Sequence, residues 1–292
     1  MSIRRLAQAD YPAFEAFLSR KPETSMFMRS NARQAGLDYA GEPFQALYWG
    51  AFDGPALQGV LALNWNGNLM SETADEGVLR ALYDAAGADR PAEPVLGVIG
   101  PRAQAQRLLG WLGVSGRDLR LELAEVVFHL RLDGLKPPAA LADGLLVCRR
   151  AAAGDAGLLR RWRSAYETEL HLAEPGPELA ARTNAAVAAL IDQRRAFVAE
   201  AGGTPVAMAG YNAELPDVVQ IGGVYTPPEQ RCRGFARAAV AASLIAARDE
   251  GVTSAFLFTH TPAAERAYRA LGFQPAGEYH MAMLRRPAAL RP

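Results

Sequence analysis

The stretch from Val218 to Glu250 constrains the chain most. It reads VVQIGGVYT, then PPEQRCRG, then FARAAVAASLIAARDE. The first segment is apolar and β-branched, the composition of a buried strand. Paired prolines, arginines and a glycine then make a loop. The last segment sets Ala236, Ala239, Val240, Ser243, Leu244 and Ala247 on one helical face. A strand that passes through a glycine-bearing loop into a helix can seat a phosphate. The first N–H groups of the helix have no intrahelical partner, and its dipole favours an anion there. Arg231, Arg233 and Arg237 add positive charge at that end. No lysine follows the glycine and no G-x-G-x-x-G occurs, which excludes the nucleoside-triphosphate loop and the dinucleotide fingerprint.

The run Arg231-Cys232-Arg233-Gly234-Phe235-Ala236 is an R-x-x-G-x-A pattern, and the hydrophobic Val224-Tyr225-Thr226 precedes it. It resembles the pyrophosphate-binding loop of the GNAT acetyltransferase superfamily. A second segment, Thr261 to Phe273, is similar to the family's N-x-x-A-x-x-L-Y-x-x-x-G-F signature. Ala264, Tyr268, Gly272 and Phe273 match it, while Thr261 replaces the usual Asn and Ala267 the usual Leu. The resemblance covers residues 145–284. It implies that the loop follows a fourth strand and opens a third helix. It also implies that acetyl-CoA is the co-substrate, held by Val224, Tyr225, Thr226, Arg231, Cys232, Arg233, Gly234, Phe235, Ala236, Arg237 and Thr261. No metal is implied.

The chemistry such a site performs requires a fixed, polarised thioester carbonyl, an unprotonated amine, and a proton for the leaving thiolate. In the family the fourth and fifth strands splay, and the pantetheine arm lies in the gap. Gly222-Gly223 fits a bulge with close backbone approach, and an N–H near Val224 or Tyr225 fits an oxyanion donor. The resemblance places Tyr268 at the position of the family's general acid, and a phenol with a pKa near ~10 is protonated at neutral pH and can donate to a thiolate. Taken alone, Tyr268 reads rather as a packing residue on an amphipathic helix; the surrounding motif gives it the acid role. The base stays open among Glu169, His171, Glu200 and Glu214, or a water chain. Glu169 and His171 end the helix that borders the acceptor site in the family, so they are the acceptor-side candidates. Cys232 sits in the phosphate loop, away from the expected thioester, and His260 follows the fifth strand as a structural residue.

Length fits two domains at roughly 150 residues each. The 31 basic and 31 acidic residues cancel, which argues against a nucleic-acid binder. Nearly all the basic residues are arginine. Two cysteines, Cys148 and Cys232, and four scattered histidines supply neither a disulfide framework nor a zinc site. The N-terminus lacks a signal-peptide pattern, and the longest apolar run, 238–247, is too short to span a bilayer. A reducing cytoplasm is the expected compartment.

Residues 1–136 form the expected first domain. Its strands fall at 3–6, 45–52, 57–65, 95–99 and 119–132, and its helices at 9–20, 23–34, 76–86 and 102–112. Asp10 is the expected cap of the first helix. Residues 136–144 carry two prolines and a terminal Asp-Gly, so 137–144 is the expected linker. The second domain, 145–292, repeats the order, with strands at 145–149, 196–201, 206–214, 218–226, 255–259 and 278–284, and with helices at 154–171, 178–191, 235–250 and 263–271. The expected fold class is α/β (α+β): two tandem GNAT-like domains, each a mixed, mostly antiparallel sheet flanked by helices. The first copy is degenerate, with only Gly100-Pro101-Arg102 where a signature loop would stand. This arrangement is similar to the glycine N-acyltransferase-like branch, whereas an unrelated α/β domain is the plainer reading of residues 1–136.

The expected activity is acetyl transfer from acetyl-CoA to a primary amine, favouring a small molecule over a protein, by a monomer. The alternatives are a longer acyl-CoA donor, a silent acetyl-CoA-binding module, or an enzyme acting on protein amines. Trp49, Trp65 and Trp111 fit either core or an acceptor pocket.

Overall fold

The computed structural model describes residues 1–91 and 93–290. The chain divides into two compact units, Met1–Val126 joined by the segment from Gly277 onward, and Val127–Ala276. The last two residues of the expected second domain, 291 and 292, lie outside the described residues.

In the first unit the elements run β1 (Ser2–Arg5), α1 (Tyr11–Leu18), α2 (Pro22–Ala35), β2 (Ala46–Asp53), β3 (Ala56–Asn64), β4 (Asn68–Thr73), α3 (Glu76–Asp89), β5 (Pro94–Pro101), α4 (Arg102–Trp111) and β6 (Leu119–Arg131). Strand β6 crosses the division between units at Val126. The second unit continues with α5 (Ala139–Ala142), β7 (Leu146–Arg150), α6 (Ala156–Glu169), α7 (Pro177–Asp192), β8 (Ala196–Ala201), β9 (Thr204–Glu214), β10 (Val218–Tyr225), α8 (Phe235–Asp249), β11 (Ser254–Thr259) and α9 (Pro262–Arg269), and the chain closes with β12 (Gln274–Ala289).

Both units have a mixed, mostly antiparallel sheet with helices on its faces. The first has the strand order β1-β2-β3-β4-β5-β12, in which only β4 and β5 run parallel. The second has the order β11-β10-β9-β8-β7, in which only β10 and β11 run parallel. Strand β2 shows why the pattern reads as one apolar run. Leu47, Trp49 and Ala51 face one core with Leu82 and Leu108, while Ala46 and Tyr48 face the other with Phe14 and Met28. Alternate side chains point to opposite faces, and both faces are covered by helices.

Four local expectations change. Strand β4 was not expected, because its Ser71, Glu72 and Thr73 are polar yet buried, which breaks the apolar pattern. The linker holds a helical turn, α5. Asp10 sits at the N-cap of α1 without capping it; its carboxylate accepts from Ala7 N–H at 3.0 Å and from both Arg4 Nη atoms at 2.7 and 2.6 Å. The closing strand is longer than 278–284, and from Tyr279 it pairs antiparallel with β5 of the first unit.

Strand β4 also relocates the counterpart of the signature loop. In the repeated order β4 corresponds to β10 and α3 to α8, so the counterpart is the short turn before α3, not Gly100–Arg102. Asp75 caps that helix by accepting from Val78 N–H at 2.9 Å, so a carboxylate already occupies the place a phosphate would take. Strands β4 and β5 pair only at Asn68–Gly97 and Leu69–Val98. Beyond that, Gln104 fills the opening: its Oε1 accepts from Ser71 Oγ and its Nε2 donates to Thr73 O, both at 2.9 Å. The degenerate copy has closed its gap with a side chain.

Candidate active site

The second unit keeps its gap open. Strands β10 and β11 pair in parallel only at Val218–Ser254, Val219–Ala255 and Gln220–Phe256. On its other side β10 carries the expected bulge. Gly222 faces Gly210 and Tyr225 faces Met208, so β10 has one extra residue there. Gly223 supplies the left-handed backbone with φ +59°. A Cβ on Gly222 would meet the Asn212 side chain at 2.0 Å, and one on Gly223 would meet Arg163 Nη1 at 3.0 Å. The bulge ends the regular ladder and turns the Val224–Thr226 segment into the opening.

A cleft of about 670 Å³ lies at the end of β10, bordered by the loop into α8 and by α9 and α6. Val224, Tyr225 and Thr226 line one side, and Arg231, Cys232, Gly234, Phe235, Ala236 and Arg237 line the loop end. Thr261 and Tyr268 face it from α9, and Tyr166, Glu169 and Leu170 from α6. Of the residues expected to hold a donor, only Arg233 does not line the cleft. Its Nη1 donates to Gln230 Oε1 at 2.7 Å and its guanidinium lies 4.7 Å from the Phe235 ring centre.

The loop turns through two left-handed residues, Cys232 (φ +62°) and Gly234 (φ +80°). Gly234 is the N-cap of α8, and no side chain caps the helix. The first intrahelical bond runs from Ala238 N–H to Gly234 O at 3.0 Å, so the amides before it are not used by the helix. Two polar atoms of the lining, Thr226 Oγ1 and Arg237 Nε, are buried with no hydrogen-bond partner among the described residues. An uncapped helix start beside unpaired donors fits an anionic ligand.

Arg231 is held across the cleft end. Its Nη2 donates to Glu169 Oε2 at 2.6 Å and its Nε to Thr226 O at 3.0 Å. Tyr225 Oη donates to Glu169 Oε1 at 3.1 Å. Burial raises the Tyr225 pKa, and the Glu169 carboxylate raises it further. The hydrogen bond to Glu169 raises that of Arg231.

Tyr268 is buried, with its ring edge-on to Phe273 at 6.1 Å. Thr261 caps α9, accepting from Ala264 N–H at 3.4 Å, and so fixes the helix that carries Tyr268. Among the candidate bases only Glu169 reaches the cleft lining. Glu200 is bound to Arg149 at 2.6 Å, and Glu214 to Arg195 at 2.8 Å. His171 (φ +54°), just past α6, and His260 do not line the cleft. Trp49 lies in the core of the first unit and Trp111 packs against that core, while the Trp65 ring lies tilted against Phe44 with ring centres 5.0 Å apart.

Sequence reasoning missed an arginine–glutamate group next to the bulge. Glu167 on α6 is buried and accepts from Arg163 Nε at 2.7 Å and from Arg182 Nη2. Burial pushes its pKa up, but the two guanidinium bonds outweigh this and hold it below the usual carboxylate range. Arg163 and Glu167 are four residues apart on one helix, a spacing that marks an ion pair but not its burial. Among the described residues no cluster of His, Cys, Asp and Glu could hold a metal. Among the described residues no helix is long and apolar enough to cross a membrane.

Residues 158–273 match the model of the acetyltransferase (GNAT) family. No curated protein matches the sequence. Among solved structures, a tandem GNAT protein from the clavulanic acid biosynthesis pathway is 17% identical with TM-score 0.55, covering 100% of this chain and 99% of that one. A GCN5-related N-acetyltransferase from Sphaerobacter thermophilus is 17% identical with TM-score 0.57, covering 100% and 96%. A Drosophila protein is 11% identical with TM-score 0.64, covering 97% and 98%. These likenesses establish the tandem GNAT fold over the full length.

Proposed function

We propose that the second unit binds acetyl-CoA in the cleft between β10 and β11 and transfers its acetyl group directly to a primary amine, with a small molecule as acceptor. One observation carries this reading. A single cleft joins an uncapped, arginine-flanked helix start to Tyr268, the residue at the position of the family's general acid. The pyrophosphate meets the amides at the start of α8 and the unpaired Arg237 Nε, and Thr226 Oγ1 offers a further hydrogen bond. Acetyl-CoA supplies the activated thioester; the protein holds it still and manages charge and protons.

The bulge at Gly223 frees backbone N–H groups near Val224 from the ladder, and a donor there stabilises the oxyanion that develops on the thioester carbonyl. Tyr268 Oη is the proton source for the leaving thiolate. The N-terminal unit has a capped α3 and a filled gap, so a single donor site serves the whole chain. We assign the chain to the cytoplasm as a monomer.

The test is a thiol-release assay with acetyl-CoA and a panel of primary amines, run with wild type and Tyr268→Phe. Amine-dependent release that falls in the variant supports the reading. Release with no amine in the panel, or equal rates for both proteins, contradicts it.

A further inference from the structure

Glu169 occupies an unusual place in the cleft. Its carboxylate neutralises Arg231, one of the arginines of the phosphate loop, at 2.6 Å, and accepts from Tyr225 Oη at 3.1 Å. The same residue also lines a second, shallower groove of about 610 Å³, formed by α6 and α7 with Arg160, Ser164, Thr168 and Asn184. Among the described residues Glu169 is thus the only carboxylate on the donor cleft, and it is also a wall residue of the neighbouring groove.

We propose that the donor's phosphates and Glu169 compete for Arg231, so that donor binding releases Glu169 from the loop. The inference rests on the donor reading above. The carboxylate and a bound pyrophosphate are both anionic and seek the same guanidinium; Glu169 holds Nη2 of Arg231 and Thr226 O holds its Nε, so a two-pronged grip on phosphate by the Nη atoms takes Nη2 from Glu169. Both partners are about half exposed, at 44% and 43%, so the existing pair is easily exchanged. Released, Glu169 stands where donor cleft and groove meet, and the amine acceptor then encounters a carboxylate bound by Tyr225 Oη but no longer neutralised by a guanidinium. Glu169 is a positioning residue in this scheme: it holds the empty loop and becomes available when the donor is in place.

The experiment is a double-substitution cycle read by calorimetric titration of CoA into wild type, Glu169→Gln, Arg231→Gln and the double variant. Glutamine keeps the shape and can still accept from Tyr225, and a cooperative thermal melt shows that each variant is folded. Exposed pairs of this kind shift an equilibrium by up to about fivefold. Glu169→Gln therefore tightens CoA about two- to fivefold. In the Arg231→Gln background the same change has less than about a twofold effect, because no competition remains. Unchanged or weaker CoA binding by Glu169→Gln overturns the proposal, since Glu169 is then a spectator or a brace. Equal tightening in both backgrounds also overturns it, since simple repulsion between carboxylate and phosphate would then suffice. Binding of CoA to wild type preserves the donor reading whatever the variants do; no binding to any of the four proteins overturns both.

Discussion

Glu167→Gln tests the arginine–glutamate group that backs the bulge. The native carboxylate is 4% exposed and bound by Arg163 Nε at 2.7 Å and by Arg182. Arg163 is 22% exposed and Arg182 is 48% exposed. The neutral amide cannot replace two charge-assisted bonds, and it leaves the Arg163 guanidinium poorly compensated. Breaking a fully buried pair costs about 3–5 kcal/mol. Arg182 can return to water here, so a loss of about 2 kcal/mol is expected. Urea denaturation followed at pH 7 measures it. The pH dependence follows from the direction of the shift. The folded pKa is depressed below the ordinary 4.5, so the carboxylate's contribution is complete above that value and fades as pH falls through the lower folded value. The gap between wild type and variant should be full at pH 7 and shrink only below about pH 4.5. A loss under about 0.5 kcal/mol, or a gap that is constant down to pH 3, refutes the reasoning.

Four further outcomes follow from the same structure. Gly223→Ala forces an alanine to φ +59° with its Cβ 3.0 Å from Arg163, and should lower stability by about 1–2 kcal/mol and weaken acetyl-CoA binding, measured by denaturation and titration. Tyr268→Phe should lower kcat about 100-fold or more with near-native stability, read by the thiol-release assay and a thermal melt. Cys232→Ser should leave turnover near normal in that assay, because the thiol is at the loop rather than at the proton donor. In the first unit, burial raises the Glu72 pKa to about 7, against a lowering hydrogen bond from Thr24. The folded state therefore holds that proton more tightly, and stability falls as pH rises from 4.5 through 7. Glu72→Gln should remove this fall and stabilise the protein at pH 8 by up to roughly 3 kcal/mol, measured by denaturation at pH 5 and pH 8.

The loop end of the cleft was legible because its residues carry backbone requirements in their identity. Gly222-Gly223 marks a bulge, Gly234 a left-handed N-cap, and the apolar faces of β10 and α8 a buried strand and helix. The first unit was legible as alternating strands and helices except at β4. There Ser71 and Glu72 are satisfied by Gln104 and Thr24, contacts between distant segments that no local pattern records. Missing β4 displaced the expected counterpart of the loop by one whole strand–helix step. Arg233 and Arg231 look equivalent in sequence, yet one turns back on Gln230 and Phe235 while the other reaches Glu169. Side-chain direction in a left-handed loop depends on partners brought in by the fold. For the same reason sequence could not tell which of the four candidate bases lines the cleft: Arg149 and Arg195 hold Glu200 and Glu214, and Glu169 is the one in the lining.

The most direct test of the central claim is calorimetric titration of acetyl-CoA into wild type and Arg237→Gln. Arg237 lines the cleft with its Nε buried and, among the described residues, unpartnered, which makes it the guanidinium donor the proposed pyrophosphate site depends on. The account predicts saturable binding with one site per chain, weakened about tenfold or more in the variant, the size of one charge-assisted hydrogen bond. Absence of binding to wild type, or equal affinity in both proteins, would contradict it.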